Sequence, residues 1–194
     1  MAALAPQMQR QTGVVLRRMT QAMALFGGLI LAAVAAMTVL SVAGRALVSY
    51  GLGPVPGDFE LVQIGCAIAV FSFLPWCQMN RGHVTVDLLV ERFSPRVQAV
   101  FQILGDIALA TVAVVIASQL WSGMIGKFCA DPSDAVFGWM WSLIGIADPY
   151  CWVEATYELN MPVWWGYALG LIGAILFATT AIYSVWHSIN EALA

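Results

Sequence analysis

Residues 19–44 read MTQAMALFGGLILAAVAAMTVLSVAG, a stretch without a single charged side chain. About 20 mainly apolar residues are enough for a helix to cross a bilayer. Arg10, Arg17 and Arg18 precede the stretch, as the basic region of a signal peptide would. The apolar core of a signal peptide has only about 7–15 residues, however. The stretch is therefore predicted to be a retained first transmembrane helix.

Three further runs are long and apolar enough to span a membrane. They are Leu61–Asn80, Val97–Gly126, whose one charge is Asp106, and Leu159–Asn190, whose one titratable cation is His187. Backbone polar groups in lipid must bond within the protein, so each run is expected to be helical. The period-2 alternation of a membrane β-barrel is absent. The predicted fold is an all-α integral membrane domain with four transmembrane helices.

Composition excludes several other classes. The 194 residues are 61% hydrophobic and 10% charged, against roughly 25% charged in an average soluble domain. The mean hydropathy is +0.82. A chain this apolar has more apolar surface than one soluble core of this size can bury. The net charge of −3 gives no basic field for nucleic acid. The four cysteines form no C-x-x-C pair, so neither a zinc site nor a disulfide scaffold is indicated.

The basic residues predict the orientation, because Lys and Arg concentrate in cytoplasmic loops. The side of the chain termini holds Arg10, Arg17, Arg18, Arg81, Arg92 and Arg96, and the other side holds Arg45 and Lys127. Both termini are therefore predicted to be cytoplasmic. The other face is acidic and carries Asp58, Glu60, Asp131, Asp134, Asp148, Glu154 and Glu158.

The predicted boundaries describe one membrane domain over residues 1–194. In chain order they are a cytoplasmic N-terminus at 1–18, transmembrane helices at 19–46, 59–80, 97–126 and 160–188, and a cytoplasmic tail at 189–194. Between the second and third helices, Val86, Leu89, Val90 and Phe93 recur at helical spacing. This pattern predicts a short amphipathic helix over 84–96, lying in the cytoplasmic interface.

The segment 127–158 between the third and fourth helices has features of its own. Its apolar stretch 135–147 contains Trp139 and Trp141 but is too short to span, which predicts a re-entrant or interfacial helix. Cys129 and Cys151 share this segment, and they could form a disulfide if this face is periplasmic. The sequence leaves open whether they do.

Small residues recur at four-residue spacing on two helices. They are Ala24, Gly28, Ala32 and Ala36 in the first helix, and Gly166, Gly170, Ala174 and Ala178 in the fourth. Small residues on one face let helix backbones approach closely in lipid. Packing within the chain and docking of another subunit both remain open.

Asp106 is the one acid that lies deep inside a predicted span. It lies about nine residues into the third helix, roughly 13 Å along its axis, where an ionised group costs about 2.5–3.5 kcal/mol to insert. No second acid or base in another span completes a proton relay. Asp106 is therefore expected to be structural, bonded to polar groups of a neighbouring helix or reaching toward the cytoplasmic face.

One further set of short motifs resembles a known family. Gly44-Arg45 ends the first helix, Glu60-Leu61 opens the second, Asn80–Leu89 reads NRGHVTVDLL, and Pro162-Val163-Trp164 opens the fourth. Together they resemble the small, four-helix (Q-type) membrane subunit of tripartite ATP-independent periplasmic (TRAP) transporters, over roughly residues 20–187. The segment 127–158 is longer than that family's pattern leads us to expect.

The resemblance implies a non-catalytic subunit of a transporter in the bacterial inner membrane. In such transporters a periplasmic binding protein delivers an organic anion, such as a carboxylate, to a large multi-spanning subunit driven by sodium. The small subunit braces the scaffold of the large one, in contact with membrane phospholipids. Sodium is expected at the large subunit, and no cofactor is expected here.

The resemblance also implies residue roles. Arg81, His83 and Asp87 are expected to fix the turn after the second helix, and Arg81 could meet lipid headgroups. Arg45 and Glu60 are expected to form an ion pair at the outer ends of neighbouring helices. The acids of that face could contact the binding protein, or could simply be solvated.

Two alternatives from other classes are weighed against this interpretation. One is the membrane anchor of a redox enzyme, but His83 in a loop and His187 at a helix end do not face each other as haem ligands would. The other is a membrane enzyme with its site in Asp131–Glu158. No nucleophile or zinc-protease motif supports catalysis.

Overall fold

The computed structural model describes residues 6–80, 95–127 and 154–193. It contains the helices α1 (Pro6–Ala46), α2 (Asp58–Met79), α3 (Pro95–Lys127) and α4 (Trp164–Leu193). All four are long and apolar enough to cross a membrane, which confirms the prediction of four spanning helices in an all-α chain. The predicted interfacial helix at 84–96, apart from its last two residues, and the predicted helix at 135–147 lie outside the described residues.

The helix ends differ from the predicted ones where no apolar run marks them. α1 is described from Pro6 onward, so most of the predicted N-terminal segment 1–18 is helical. α4 likewise continues to Leu193, beyond the predicted end at 188. A polar helical turn outside the lipid leaves no hydropathy signal, and this explains both differences.

α4 is the centre of the bundle. It packs against α2 on one side and α3 on the other, while α1 packs mainly against α2. The buried core at the α3–α4 contact consists of Ala113, Phe177, Ala178 and Ala181, with Leu74 of α2 beside it. These small side chains let the helices approach closely, as helix pairs in lipid require.

Pro75 lies inside α2, but the helix continues to Met79. A proline removes the hydrogen bond to the carbonyl four residues earlier, here that of Phe71. Gly173 of α4 lies directly against this carbonyl group, so close that a Cβ on Gly173 would be 2.7 Å from the carbonyl carbon. A glycine in α4 therefore fits the point where α2 loses a backbone bond.

The bundle has two ends, which bear different polar groups. The "terminal end" holds the start of α1, the end of α2, the start of α3 and the end of α4. The "opposite end" holds the end of α1, the start of α2, the end of α3 and the start of α4. The polar networks of the protein lie at these two ends.

Candidate functional site

At the opposite end, Arg45 and Asp58 join α1 to α2. Arg45 donates to the Asp58 carboxylate in an ion pair, and the Ser41 hydroxyl donates to the same carboxylate oxygen at 2.6 Å. Ser41 in turn accepts a bond from the Val55 N–H at 3.3 Å. The predicted Arg45–Glu60 pair is therefore wrong. Asp58, one residue before the predicted helix start, presents its carboxylate to α1 instead.

Gly44, which precedes Arg45, is required by the loop that follows α1. The carbonyl oxygen of Gly53 lies where a Cβ on Gly44 would be, and Pro54 N is 3.6 Å from that point. Any larger residue would push the loop off the end of α1. The Gly-Arg pair thus works as a unit, since glycine admits the loop and arginine binds the start of α2.

Glu60 anchors the segment that leads into α4. Its carboxylate accepts the backbone N–H of Glu158 at 2.8 Å and that of Leu159 at 3.1 Å. In return, the Glu158 carboxylate accepts the N–H of Gly57. Gly57 has a φ of 73°, and a side chain there would also strike Leu159. The two glutamates therefore clamp the starts of α2 and α4 to each other.

Lys127 closes the same end of the bundle from α3. Its ammonium group forms an ion pair with Glu154, and Glu154 O accepts the Val163 N–H at 2.9 Å. The chain between Ala155 and Pro162 folds back on itself through an antiparallel bridge. The acids Asp58, Glu60, Glu154 and Glu158 thus all bond within the chain.

The small residues of α4 pack inside the chain. The nearest neighbour of a Cβ on Gly166 would be Ile64 at 3.5 Å, and that of a Cβ on Gly170 would be Phe71 at 3.3 Å, both in α2. Of the two explanations left open above, internal packing applies to this helix.

The small residues of α1 have different surroundings. Gly27 packs against α2, because a Cβ added to Gly27 would lie 2.7 Å from the Cβ of Ser72. A Cβ added to Gly28 would have no atom of another helix within 4 Å. Ala32 and Ala36 are exposed. We call Gly28, Ala32 and Ala36 the "open stripe" of α1. Within the part of the chain that the structure describes, nothing covers it.

Asp106 is buried between α3 and α4. Only 4% of the residue is exposed, and the Ser188 hydroxyl donates a hydrogen bond to its carboxylate. A bond to a polar group of a neighbouring helix is one of the two arrangements expected for Asp106. This bond joins α3 to α4 at the terminal end.

A second polar network at the terminal end joins α1 to α4. Gln9 Nε2 lies 2.8 Å from His187 Nδ1, and Asn190 donates to Gln9 Oε1 at 2.8 Å. The Tyr183 hydroxyl donates to the Gln9 carbonyl at 3.3 Å. Sequence reasoning missed this cluster, because Gln9 stands 178 residues from His187 and no local pattern links them.

Several predicted site residues lie outside the described residues. They are Arg81, His83 and Asp87, together with the cysteines of the possible disulfide, Cys129 and Cys151. Where residues are described, no three His, Cys, Asp or Glu side chains are grouped as a metal site would need.

A model of a known protein family matches most of the chain. The family model described as "Tripartite ATP-independent periplasmic transporters, DctQ component" matches residues 34–191. No curated protein and no solved structure matches the chain.

Proposed function

Since the chain belongs to the DctQ component family, and is thereby a small membrane subunit of a TRAP transporter, we propose that it braces a large multi-spanning subunit. A periplasmic binding protein delivers an organic anion, such as a carboxylate, to that partner. The partner imports the anion, and sodium moving down its gradient drives the import. The complex lies in the bacterial inner membrane, with both termini of this chain in the cytoplasm. The family match lends no support to the redox-anchor alternative.

The open stripe of α1 is the observation that carries the bracing role. α1 contacts its own chain through one face, where Gly27 meets Ser72 and Val34 meets Gly65. A helix face that contacts only lipid does not need small residues. A partner helix does, because its backbone must approach closely to gain packing and weak hydrogen bonds. The open stripe therefore fits a helix of the large subunit.

The buried polar groups support placing the transport pathway in the partner chain. Among the described residues, Asp106 is the one buried acid or base, and it bonds to Ser188. Transporter sites usually combine broken helices with polar groups near the middle of the membrane. The four helices described here are each continuous. A scaffold role requires neither broken helices nor polar groups near the middle of the membrane.

The opposite end would face the periplasmic binding protein. The acids that the structure describes there bond within the chain, whereas two aromatic side chains near them are exposed, Tyr157 by 99% and Phe59 by 78%. Aromatic residues at the membrane–water interface can anchor a helix end there or contact a soluble partner. A transient contact with the binding protein would use these rings rather than the acids.

Purification of the tagged chain from its native membrane in mild detergent tests the proposal. The expected result is a stoichiometric complex with a much larger multi-spanning protein. Ala32→Trp, in the open stripe, should lower the recovery of that protein severalfold. Val112→Trp, on an exposed face of α3, is the matched control and should not. Recovery of the chain with a coloured soluble enzyme would instead favour the redox anchor.

A further inference from the structure

We propose that the terminal end of the bundle binds the phosphate group of an anionic phospholipid, such as phosphatidylglycerol, between α1 and α4. The structure has a cavity of about 380 Å³ there, lined by Arg10, Arg17, Tyr183 and His187 among others. This inference is independent of the transport role, because it concerns only the surface of this chain.

The basic wall of the cavity comes from one face of α1. Arg10, Gly13, Val14 and Arg17 all line it, and their spacing of i, i+3, i+4 and i+7 puts them on one side of a helix. The two arginines stand about 10 Å apart along the axis. Their long side chains can therefore both reach a group held between them.

Neither arginine is paired with an acid among the residues that the structure describes. No ion pair or hydrogen bond joins the guanidinium group of Arg10 or Arg17 to any residue that the structure describes, and both residues are exposed. A guanidinium group presents a planar fork of donors that matches phosphate oxygens. The cavity thus has two arginines available for one anion.

The wall from α4 is formed by two side chains that contact each other and α1. Tyr183 and His187 are stacked, with ring centroids 6.1 Å apart, and Gln9 and Asn190 hold the histidine side. Gly13 lets Tyr183 approach α1 closely, because a Cβ on residue 13 would clash with the Tyr183 hydroxyl. The one described carboxylate beside the cavity is Glu191, 3.5 Å from His187 Nε2. Within the described residues, this carboxylate pairs with His187 and not with either arginine.

The position of the cavity favours a lipid over a soluble phosphate compound. The uncharged stretch 19–44 alone is about 39 Å long as a helix, more than the roughly 30 Å hydrocarbon core. Arg17, just before it, therefore lies at the level of the headgroups, and Arg10 lies about 10 Å further out along the helix axis. Val14 and Met79 supply apolar lining, which suits the glycerol and upper acyl chain. Basic pockets between transmembrane helices are known to hold anionic headgroups.

Native mass spectrometry of the full-length, delipidated protein in detergent tests the site. Titration with phosphatidylglycerol should give a tightly bound adduct, and phosphatidylcholine should bind more weakly. Arg10→Gln and Arg17→Gln should each weaken phosphatidylglycerol binding about fivefold. Arg18→Gln, which removes the same charge from a neighbouring position outside the cavity lining, is the matched control and should leave binding unchanged.

Three outcomes would overturn the proposal. Equal binding of the two lipids would remove the headgroup preference. An equal loss in Arg18→Gln would show that net charge near the surface, and not this cavity, attracts the lipid. Displacement of the adduct by millimolar inorganic phosphate would assign the cavity to a free phosphate.

Discussion

Gly173 of α4 lies against the carbonyl group of Phe71 in α2, the backbone acceptor that Pro75 leaves without its helical donor. In lipid, no water can satisfy that oxygen. The glycine lets the α4 backbone approach it, and Cα–H groups at such contacts act as weak donors. The α2–α4 contact therefore depends on a proline and a glycine from different helices.

The first prediction concerns this contact. Gly173→Ala places a methyl group into the Phe71 backbone and should lower the free energy of unfolding by about 1–3 kcal/mol. Gly105→Ala, in α3 with nothing within 4 Å of the new methyl, should be neutral or slightly stabilising. Thermal unfolding in detergent compares the two. Equal midpoints would contradict the proposed role of Gly173.

The second prediction concerns the ion pair of Arg45. Asp58→Ala should lower the unfolding temperature more than Arg45→Ala, because the Asp58 carboxylate also accepts from Ser41 and from Phe59 N–H. The exchange of Arg45 and Asp58 should restore part of the loss. The exchange of Arg45 and Glu60 should not, and rescue by that second exchange would show that Glu60 is the true partner.

A third prediction follows from the two bonds that Glu60 accepts. Glu60→Gln should speed hydrogen exchange at the amides of Glu158 and Leu159, because it removes the charge that strengthens their bonds. Gln63→Ala, an exposed position one turn further along α2, should leave these amides unchanged. Hydrogen exchange followed by mass spectrometry measures both. Unchanged protection in Glu60→Gln would mean that other contacts hold the segment.

The fourth prediction concerns the buried pair of Asp106 and Ser188. Ser188→Ala removes a donor to a buried carboxylate and should cost about 1–3 kcal/mol of stability. Ser118→Ala is the control, because that hydroxyl is exposed and bonds to its own helix. In an Asp106→Ala background, Ser188→Ala should cost much less. Costs that simply add in the double variant would show that the two residues are not coupled.

The four helices could be predicted from the sequence because each apolar run exceeds the length that a bilayer requires. The helix ends were harder. Residues 6–18 of α1 are helical in a polar region where hydropathy carries no signal. For Asp106 the sequence left two arrangements open, a bond to a neighbouring helix or a reach toward the cytoplasmic face, and it could not identify Ser188 as the partner.

The partners of the polar residues could not be read from spacing. Asp58 and Glu60 are two residues apart, so they point to nearly opposite sides of α2, and the sequence does not show which side faces α1. Gly173 falls outside the four-residue pattern of Gly166 and Gly170. Its importance depends on Pro75 in another helix, which a pattern within α4 cannot reveal.

Site-directed photocrosslinking in native membranes tests the central claim, that the open stripe docks the large subunit. A photoreactive residue at Ala32 should yield an adduct with one large multi-spanning protein. The same residue at Val112 of α3 should not form it. An adduct at Ala32 with lipid alone, or the same protein adduct from both positions, would contradict docking through α1.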